Sequence, residues 1–174
     1  MSKHPDFEFH GVNPCAEEPL PPGGSCLLGS INLSAFVIAP YTENARFDFN
    51  AYVGAVHDAV TALNEVLDEG LPLHPLEVQR KTVKELRQIG LGVMGIADML
   101  IKLGITYGST KSLVLCETIA QVQLVESITA SAYYSRDNGS FDWYDYETIA
   151  DSEFFATNVP DDVKAIVKQH GLAN

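Results

Sequence analysis

The sequence predicts an α/β chain in which helices dominate and only one or two short strands occur. Between about residue 51 and residue 170, apolar side chains recur mostly at the three- and four-residue spacing of a helix face. The stretch SINLSAFVI, Ser30–Ile38, is instead β-branched and apolar enough for a short strand. The first 30 residues are rich in Pro and Gly and poor in helix formers, which is typical of loops. We therefore divide the chain into a loop-and-strand segment, 1–40, and a helical segment, 41–174.

Each predicted helix has its own start and stop signals. The stretch FDFNAYVGAVHDAVTALNEVLDEG predicts a first helix, with Asp48 or Asn50 as N-cap and Gly70 at its end. Pro75 favours the start of a second helix, which we expect to reach Gln88. Three further helices are expected: GIADMLIKLG, ending at Gly104; Thr110–Arg136, stopped by Asn138-Gly139; and PDDVKAIVKQHG, starting at Pro160.

Composition limits the class of protein and its partners. With 46% hydrophobic and 20% charged residues, the chain is expected to be globular. A net charge of -12 argues against nucleic acid as a partner. No apolar run reaches the roughly 18 residues that span a bilayer, and the N-terminus lacks the apolar core of a signal peptide. Three cysteines, an odd number, do not suggest a secreted disulfide framework, so we expect a cytoplasmic protein with no membrane partner.

The segment NPCAEE, residues 13–18, gathers polar groups at alternate positions. Pro14 disfavours the α conformation at Asn13, which predicts an extended backbone. In an extended chain, Asn13, Cys15 and Glu17 would share one side, with Pro14 and Ala16 on the other. An amide and a carboxylate suit a hydroxylated substrate, and the carboxylate can accept a proton. The alternative is a polar loop with an incidental cysteine.

The other two cysteines have different predicted environments. Cys26 follows Cys15 by eleven residues, and a disulfide between them is conceivable but not decided by that length. No metal site is expected, because no Cys-x-x-Cys or His pair accompanies them. Cys116 falls within the apolar pattern of the long helix and is expected to be a core residue.

The stretch GLGVMG, Gly90–Gly95, matches the G-x-G-x-x-G pattern of dinucleotide sites. Such a site needs a buried strand before the glycines and an acidic residue about 20 positions later. Here the preceding RKTVKELRQI is charged and helical in pattern, and Glu117 lies inside a predicted helix. We therefore favour close backbone packing where a short turn or strand leads into the next helix.

Two motifs resemble a known family. NPCAEEPLPPGGSCLLGSINL is similar to the active-site segment of the ribonucleotide reductase catalytic subunit, where the pattern is Asn-Pro-Cys-Gly-Glu, Pro-Leu-Pro and Gly-Ser/Ala-Cys-Asn-Leu-Gly-Ser-Ile-Asn-Leu. RQIGLGVMGIADMLIKLGITYGS is close to the family's Arg-Arg-Ile-Gly-Leu-Gly-Val-Met-Gly stretch, and HGLAN weakly resembles Gly-Leu-Arg-Asn. The resemblance covers nearly the whole chain. It implies a partial domain, residues 1–174, from the family's ten-stranded α/β barrel.

The resemblance also implies an activity and roles for individual residues. The family reduces ribonucleotides to deoxyribonucleotides for DNA replication by a thiyl-radical mechanism. By the matching motif, Cys15 is the radical residue that abstracts the ribose 3′ hydrogen, and Glu17 takes the proton of the 3′-hydroxyl. Asn13 holds the ribose hydroxyls, and Cys26 is one of two cysteines that reduce the substrate and end as a disulfide. Substrate binding extends over the whole of residues 13–17, including Pro14 and Ala16.

Cofactor and partners follow from the same resemblance. The Pro-Cys form and the cysteine spacing look more like the adenosylcobalamin-dependent class than the class with a diiron radical subunit. Expected partners are a ribonucleoside di- or triphosphate, the remaining segments of the catalytic subunit, and thioredoxin or glutaredoxin as reductant.

This sequence departs from the family pattern at two positions, where Ala16 replaces Gly and Leu27 replaces Asn. The phosphate loop and the redox partner of Cys26 are expected outside this chain, so the isolated chain should be inactive. The alternative is a helical interaction or regulatory module that has lost the chemistry.

Overall fold

The computed structural model describes residues 7–14, 16 and 18–174. Cys15 and Glu17 therefore lie outside the described residues. Within these limits the chain is mainly helical, as predicted. Its helices are α1 (Phe49–Gly70), α2 (Glu77–Leu86), α3 (Ile96–Lys102), α4 (Thr110–Asn138), α5 (Tyr146–Ala150), α6 (Glu153–Asn158) and α7 (Asp161–His170).

Strands form three separate pairs in the described residues. Four are two-residue strands: β1 (Gly11–Val12) and β2 (Pro19–Leu20) form an antiparallel hairpin, and β4 (Val37–Ile38) pairs with β5 (Arg46–Phe47). The two longer strands, β3 (Leu27–Asn32) and β6 (Ile89–Met94), run parallel in the register Leu27↔Ile89 to Asn32↔Met94. A parallel pair requires a crossover connection, and α1 and α2 lie in it.

Most predicted helices are confirmed with small shifts at their ends. Asp48, not Asn50, is the N-cap of α1, because its side chain accepts a hydrogen bond from the Ala51 N–H. Gly70 is the last residue of α1. Gly104 adopts a φ of +66° two residues after α3, and Gly139 caps α4.

Two predicted elements differ from the structure. The strand expected over Ser30–Ile38 begins earlier and ends at Asn32, where the chain enters a 3-10 turn over Leu33–Phe36. The second helix, expected to reach Gln88, ends at Leu86 because Arg87 takes a left-handed conformation with φ +48°. The following IGLGVM is strand β6, which leads through Gly95 into α3, so the interpretation of these glycines as close backbone packing before a helix is confirmed.

Two apolar cores hold these elements together. The first lies between the β3–β6 sheet, α1, α3 and the first half of α4. Its buried residues are Ile31, Leu33, Phe47, Tyr52, Val56, Met99, Leu100 and Ile119. The second lies between the later part of α4 and the last helices, with Ala132, Phe155, Val159, Val163 and Val167. The helix α4 contributes to both.

The helix α4 is apolar on more than one side. By length and composition alone it could cross a membrane, which differs from the expectation that no apolar run reaches that length. It contacts α1 and α7, and little of its apolar stretch is buried. A helix with apolar residues all round is typical of the interior of a larger protein or a membrane.

Candidate functional site

A short loop closed by Asn13 and Glu18 carries the predicted radical site. The Asn13 N–H donates to the Glu18 C=O at 3.2 Å, and the Glu18 N–H donates to Asn13 Oδ1 at 3.0 Å. Asn13 is buried, with 9% of its surface exposed. The loop connects β1 and β2, so the hairpin fixes both of its ends.

The extended backbone predicted for residues 13–17 is wrong at the residues that the structure describes. The Ala16 N–H donates to the Asn13 C=O at 2.9 Å, and Ala16 has a φ of +63°. The chain therefore folds back between Asn13 and Ala16. Pro14 restricts its own φ and its predecessor but not Ala16, whereas the side chain of Asn13 and the hairpin hold the ends of the loop.

Of the five residues predicted to bind substrate, the structure describes Asn13, Pro14 and Ala16. Pro14 and Ala16 are exposed, and the predicted gathering of Asn13, Cys15 and Glu17 on one face no longer follows from backbone extension. The roles of Cys15 and Glu17 remain predictions, since both residues lie outside the described part of the chain.

Cys26 directly precedes β3 and lies at the open face of the sheet. Along β3 the burial alternates, with Ile31 buried and Leu28, Ser30 and Asn32 exposed. The alternation places the even-numbered residues on one face and the odd-numbered ones against the helices. The Cys26 thiol donates a long hydrogen bond, 3.7 Å, to the Leu27 C=O.

Glycines leave the same face of β6 without side chains beside Cys26. A Cβ atom built at Gly90 would lie 2.6 Å from Leu28 Cδ2 and 3.3 Å from Cys26 Sγ. A Cβ at Gly92 would meet Ser30 Oγ at 3.5 Å, an ordinary contact. Glycine within a strand is typical of sites where a ligand or another backbone approaches closely. The open face of β3 and β6 is therefore a surface on which a bound molecule could reach the Cys26 thiol.

Gln88 joins the loop to this sheet and was not singled out in the sequence. Its Nε2 donates to Glu18 Oε1 at 2.8 Å, and its backbone C=O accepts from the Leu27 N–H at 3.3 Å. Gln88 lies between a charged helix and a glycine-rich strand, and nothing in this local sequence predicts its contacts with Glu18 and Leu27. Only the non-local pairing of β3 with β6 brings Glu18, Leu27 and Gln88 together.

A separate apolar cavity lies on the opposite side of β6. It measures about 480 Å³ and opens between β6, α4 and the last residues of the chain. Gln123 is one of the lining residues. Its side chain donates to the Leu91 C=O at 2.6 Å and accepts from the Tyr52 hydroxyl at 2.7 Å. Burial raises the pKa of Tyr52 to about 12, so this hydroxyl remains a neutral donor. The lining residues carry no ionisable group, which distinguishes the cavity from the face that holds Cys26.

Comparison with known proteins identifies the family. The family model "Ribonucleotide reductase, barrel domain" matches residues 7–174. A "Vitamin B12-dependent ribonucleoside-diphosphate reductase" of Thermoplasma acidophilum is 40% identical over 141 residues, which cover 80% of this chain and 18% of the relative. A protein of the same name from Mycobacterium tuberculosis is 34% identical over 133 residues, 76% of this chain and 18% of the relative.

A more distant relative has a different name. The "Ribonucleoside-diphosphate reductase large subunit" of African swine fever virus is 29% identical over 127 residues, 73% of this chain and 15% of the relative. The chain thus spans less than a fifth of the length of these relatives. The family match covers the Cys26 strand, the glycine strand β6 and all seven helices, so the chain belongs to the ribonucleotide reductase barrel-domain family as a part of that barrel.

Proposed function

We propose that the chain is part of the catalytic subunit of a ribonucleotide reductase, which reduces ribonucleotides to deoxyribonucleotides. The observation that carries this proposal is the open sheet face, on which Cys26 lies beside the side-chain-free Gly90. Family membership and the names of the relatives support the same activity. In deoxyribonucleotide biosynthesis the chain would supply residues of the active site, while other parts of the subunit complete it.

The residues divide the chemistry between them. The Cys15 thiyl radical takes the hydrogen atom from ribose C3′ and so becomes a thiol, and the Glu17 carboxylate accepts the proton of the 3′-hydroxyl. Asn13 Oδ1 is engaged by the Glu18 N–H, so its Nδ2 is the group that donates to a ribose hydroxyl. Cys26 supplies one of the two thiols that reduce the substrate and form the redox-active disulfide.

The cofactor that generates the radical in the complete enzyme is proposed to be adenosylcobalamin, in keeping with the names of the two relatives of highest identity given above. When bound, that cofactor supplies the initial radical. Within residues 7–14, 16 and 18–174 no cluster of His, Cys, Asp and Glu could hold a metal ion. This absence concerns metal ions bound by the protein itself, and we assign no residue of this chain to the cofactor.

The partners follow from the same activity. The substrate is a ribonucleoside di- or triphosphate, and the remaining segments of the catalytic subunit are obligatory partners. Thioredoxin or glutaredoxin would reduce the disulfide between turnovers, and the enzyme would act in the cytoplasm. The net charge of -12 disfavours nucleic acid as a further partner.

Complementation tests this proposal. Mixed with the segments that complete the barrel of a relative, the chain should restore nucleotide reduction, and Cys15→Ser and Cys26→Ser should each abolish it. Cys116→Ser is the matched control, because Cys116 lies in α4 away from the sheet face, and it should retain activity. Full activity of the Cys15→Ser protein would refute the assignment of the radical residue. Stable binding of the complementing segments without any reduction would instead favour the regulatory module.

The isolated chain should bind nucleoside diphosphate weakly. The described residues of the open face are apolar or uncharged, and no cluster of Lys or Arg accompanies them that could hold phosphates. Titration calorimetry with the chain alone should detect no binding at micromolar nucleotide. Micromolar affinity would show that a phosphate site exists within this chain.

A further inference from the structure

Gln88 stands at the junction of the two cysteine-bearing segments. It directly precedes β6 and is buried, with 4% of its surface exposed. Its main chain binds Leu27, the neighbour of Cys26, and its side chain binds Glu18, which closes the loop around Cys15. A second, longer contact runs from Nε2 to the Pro19 C=O at 3.5 Å. One residue therefore contacts both segments.

We propose that Gln88 is a positioning residue, which fixes the loop of residues 13–18 relative to the Cys26 end of β3. The inference rests on the proposed function, in which residues of that loop and Cys26 act on the same ribose. Glu18 transmits the contact, because two hydrogen bonds join it to Asn13 across the loop. A shift of Glu18 would therefore move Asn13, which holds the substrate hydroxyls.

The hydrogen bond between Gln88 and Glu18 is strong enough to hold the loop in place. A carboxylate acceptor makes the bond stronger than one between neutral groups, and burial of Gln88 limits competition from water. Gln88 Oε1 has no hydrogen-bond partner in the described structure, so the side chain acts through Nε2. Loss of the Nε2 donor would leave the Glu18 carboxylate without its hydrogen bond to Gln88.

The rest of the hairpin region is attached elsewhere. Thr82 Oγ1, on α2, donates to the Pro22 C=O at 3.1 Å, and Gly23 packs closely against Val78 of the same helix. These contacts hold the segment after β2. They do not involve Asn13 or Glu18, so substitution of Gln88 should loosen the loop and leave the attachment to α2 intact.

Amide hydrogen exchange in the full 174-residue chain measures the loop directly. Gln88→Met keeps the size of the side chain and removes the donor. We expect the Asn13, Ala16 and Glu18 amides to exchange about tenfold faster, the order expected for loss of one strong hydrogen bond. Gln123→Met is the matched control. It removes the hydrogen bonds of a glutamine on the other side of β6, and should leave exchange in the loop unchanged.

A reciprocal exchange of donor and acceptor separates positioning from simple packing. Gln88→Glu places a carboxylate against the Glu18 carboxylate and should speed loop exchange. Adding Glu18→Gln restores one donor and one acceptor with inverted direction, and should return exchange to the wild-type rate. Loop exchange that is unchanged in Gln88→Met, or not restored in the double variant, would overturn the proposal.

Activity gives the second measurement. In the complemented enzyme, Gln88→Met should lower kcat several-fold with little change in KM, and the reciprocal double variant should recover kcat. If Cys15→Ser keeps full activity, the assignment of the radical residue fails, and if no complemented protein reduces nucleotide, the proposed function fails. In both cases loop exchange still decides the role of Gln88. If Cys15→Ser is inactive and kcat is unaffected by Gln88→Met, the positioning role is refuted and the proposed function stands.

Discussion

Gly90 brings the backbone of β6 close to the Cys26 thiol. A Cβ atom at this position would overlap Leu28 Cδ2 and lie 3.3 Å from Cys26 Sγ, which is closer than most contacts of Cβ atoms in proteins. Gly92, two residues on, faces only ordinary contacts. The alternation of glycine with Leu91 and Val93 is a period-two pattern, so a bare strand face could have been predicted from it.

The pair Gly90 and Gly92 gives a direct test of access to the thiol. In a protein whose Cys15 and Cys116 are replaced by Ser, Gly90→Ala should slow alkylation of Cys26 by iodoacetamide several-fold, because the methyl group and the displaced Leu28 crowd the sulfur. Gly92→Ala should leave the rate within a factor of about two, as expected of an ordinary van der Waals contact. Equal rates in all three proteins would show that Gly90 does not control access.

Other single residues show which contacts a sequence can and cannot predict. Asp48 caps α1 through a bond to an amide three residues away, which is a local pattern. The path after Asn13 depends on its side chain bonding to Glu18 and on pairing of β1 with β2. An argument from Pro14 alone therefore predicted the wrong backbone. Contacts across the β1–β2 hairpin decided the structure there.

At the level of elements, Arg87 ends α2 and ties it to α1. Its left-handed backbone stops the helix one residue before Gln88. Its guanidinium bonds both carboxylate oxygens of Asp68, at 2.5 and 3.1 Å, and also Asn64 and the Ala173 C=O. The bond to Arg87 holds the pKa of Asp68 below its usual range. The end of α2 is thus held by charge and hydrogen bonds that the apolar periodicity does not reveal.

This pair should make stability depend on acidity in a defined direction. Because the pKa of Asp68 is lower in the folded chain than the usual 3.8, the pair stabilises the fold above about pH 4. That contribution is lost as the pH falls through the folded pKa. Asp68→Asn should cost up to about 1 kcal/mol at pH 7, since Asp68 is half exposed. The difference from wild type should shrink below pH 4.

Urea unfolding at a series of pH values measures that difference. Asp58→Asn is the control, because Asp58 is an exposed carboxylate of the same helix outside the Arg87 network. We expect it to show no comparable loss at pH 7. A constant difference between Asp68→Asn and wild type from pH 3 to pH 7 would contradict the role of the ionised pair.

Strand β6 shows why the local sequence left a choice between a turn and a strand. The residues before it are charged and helical in pattern, and its own glycines weaken any local preference for a strand. Its pairing with β3, some 60 residues earlier in the chain, supplies the hydrogen bonds that define it. By contrast, α1 and α7 carry apolar periodicity with clear end signals, and α4 is a long run ended by Asn138-Gly139, so the positions of all three could be predicted.

For the whole molecule, α4 joins two cores that would otherwise be separate. Ile119 packs in the first core and Ala132 in the second, within one continuous helix of 29 residues. If either core unfolded alone, the half of α4 that packs against it would lose its apolar contacts. The chain should therefore unfold in one cooperative step, as is usual for single domains of this size.

Two matched valines test this cooperativity. Val56 lies in the first core and Val167 in the second, and both are fully buried. Val56→Ala and Val167→Ala should each lower the free energy of unfolding by about 2 kcal/mol, from lost burial and the cavity left behind. Val114→Ala, at an exposed position of α4, should have little effect.

The two cores can be followed with different probes. The single tryptophan, Trp143, precedes Tyr144, which packs against the second core, and its backbone N–H donates to the Glu85 C=O of α2. Far-UV circular dichroism instead reports all the helices. In urea, either core substitution should move the fluorescence and dichroism midpoints together, because α4 transmits the loss of either core to the other. A Val56→Ala protein whose dichroism midpoint falls while the Trp143 midpoint stays would show that α4 does not couple the cores.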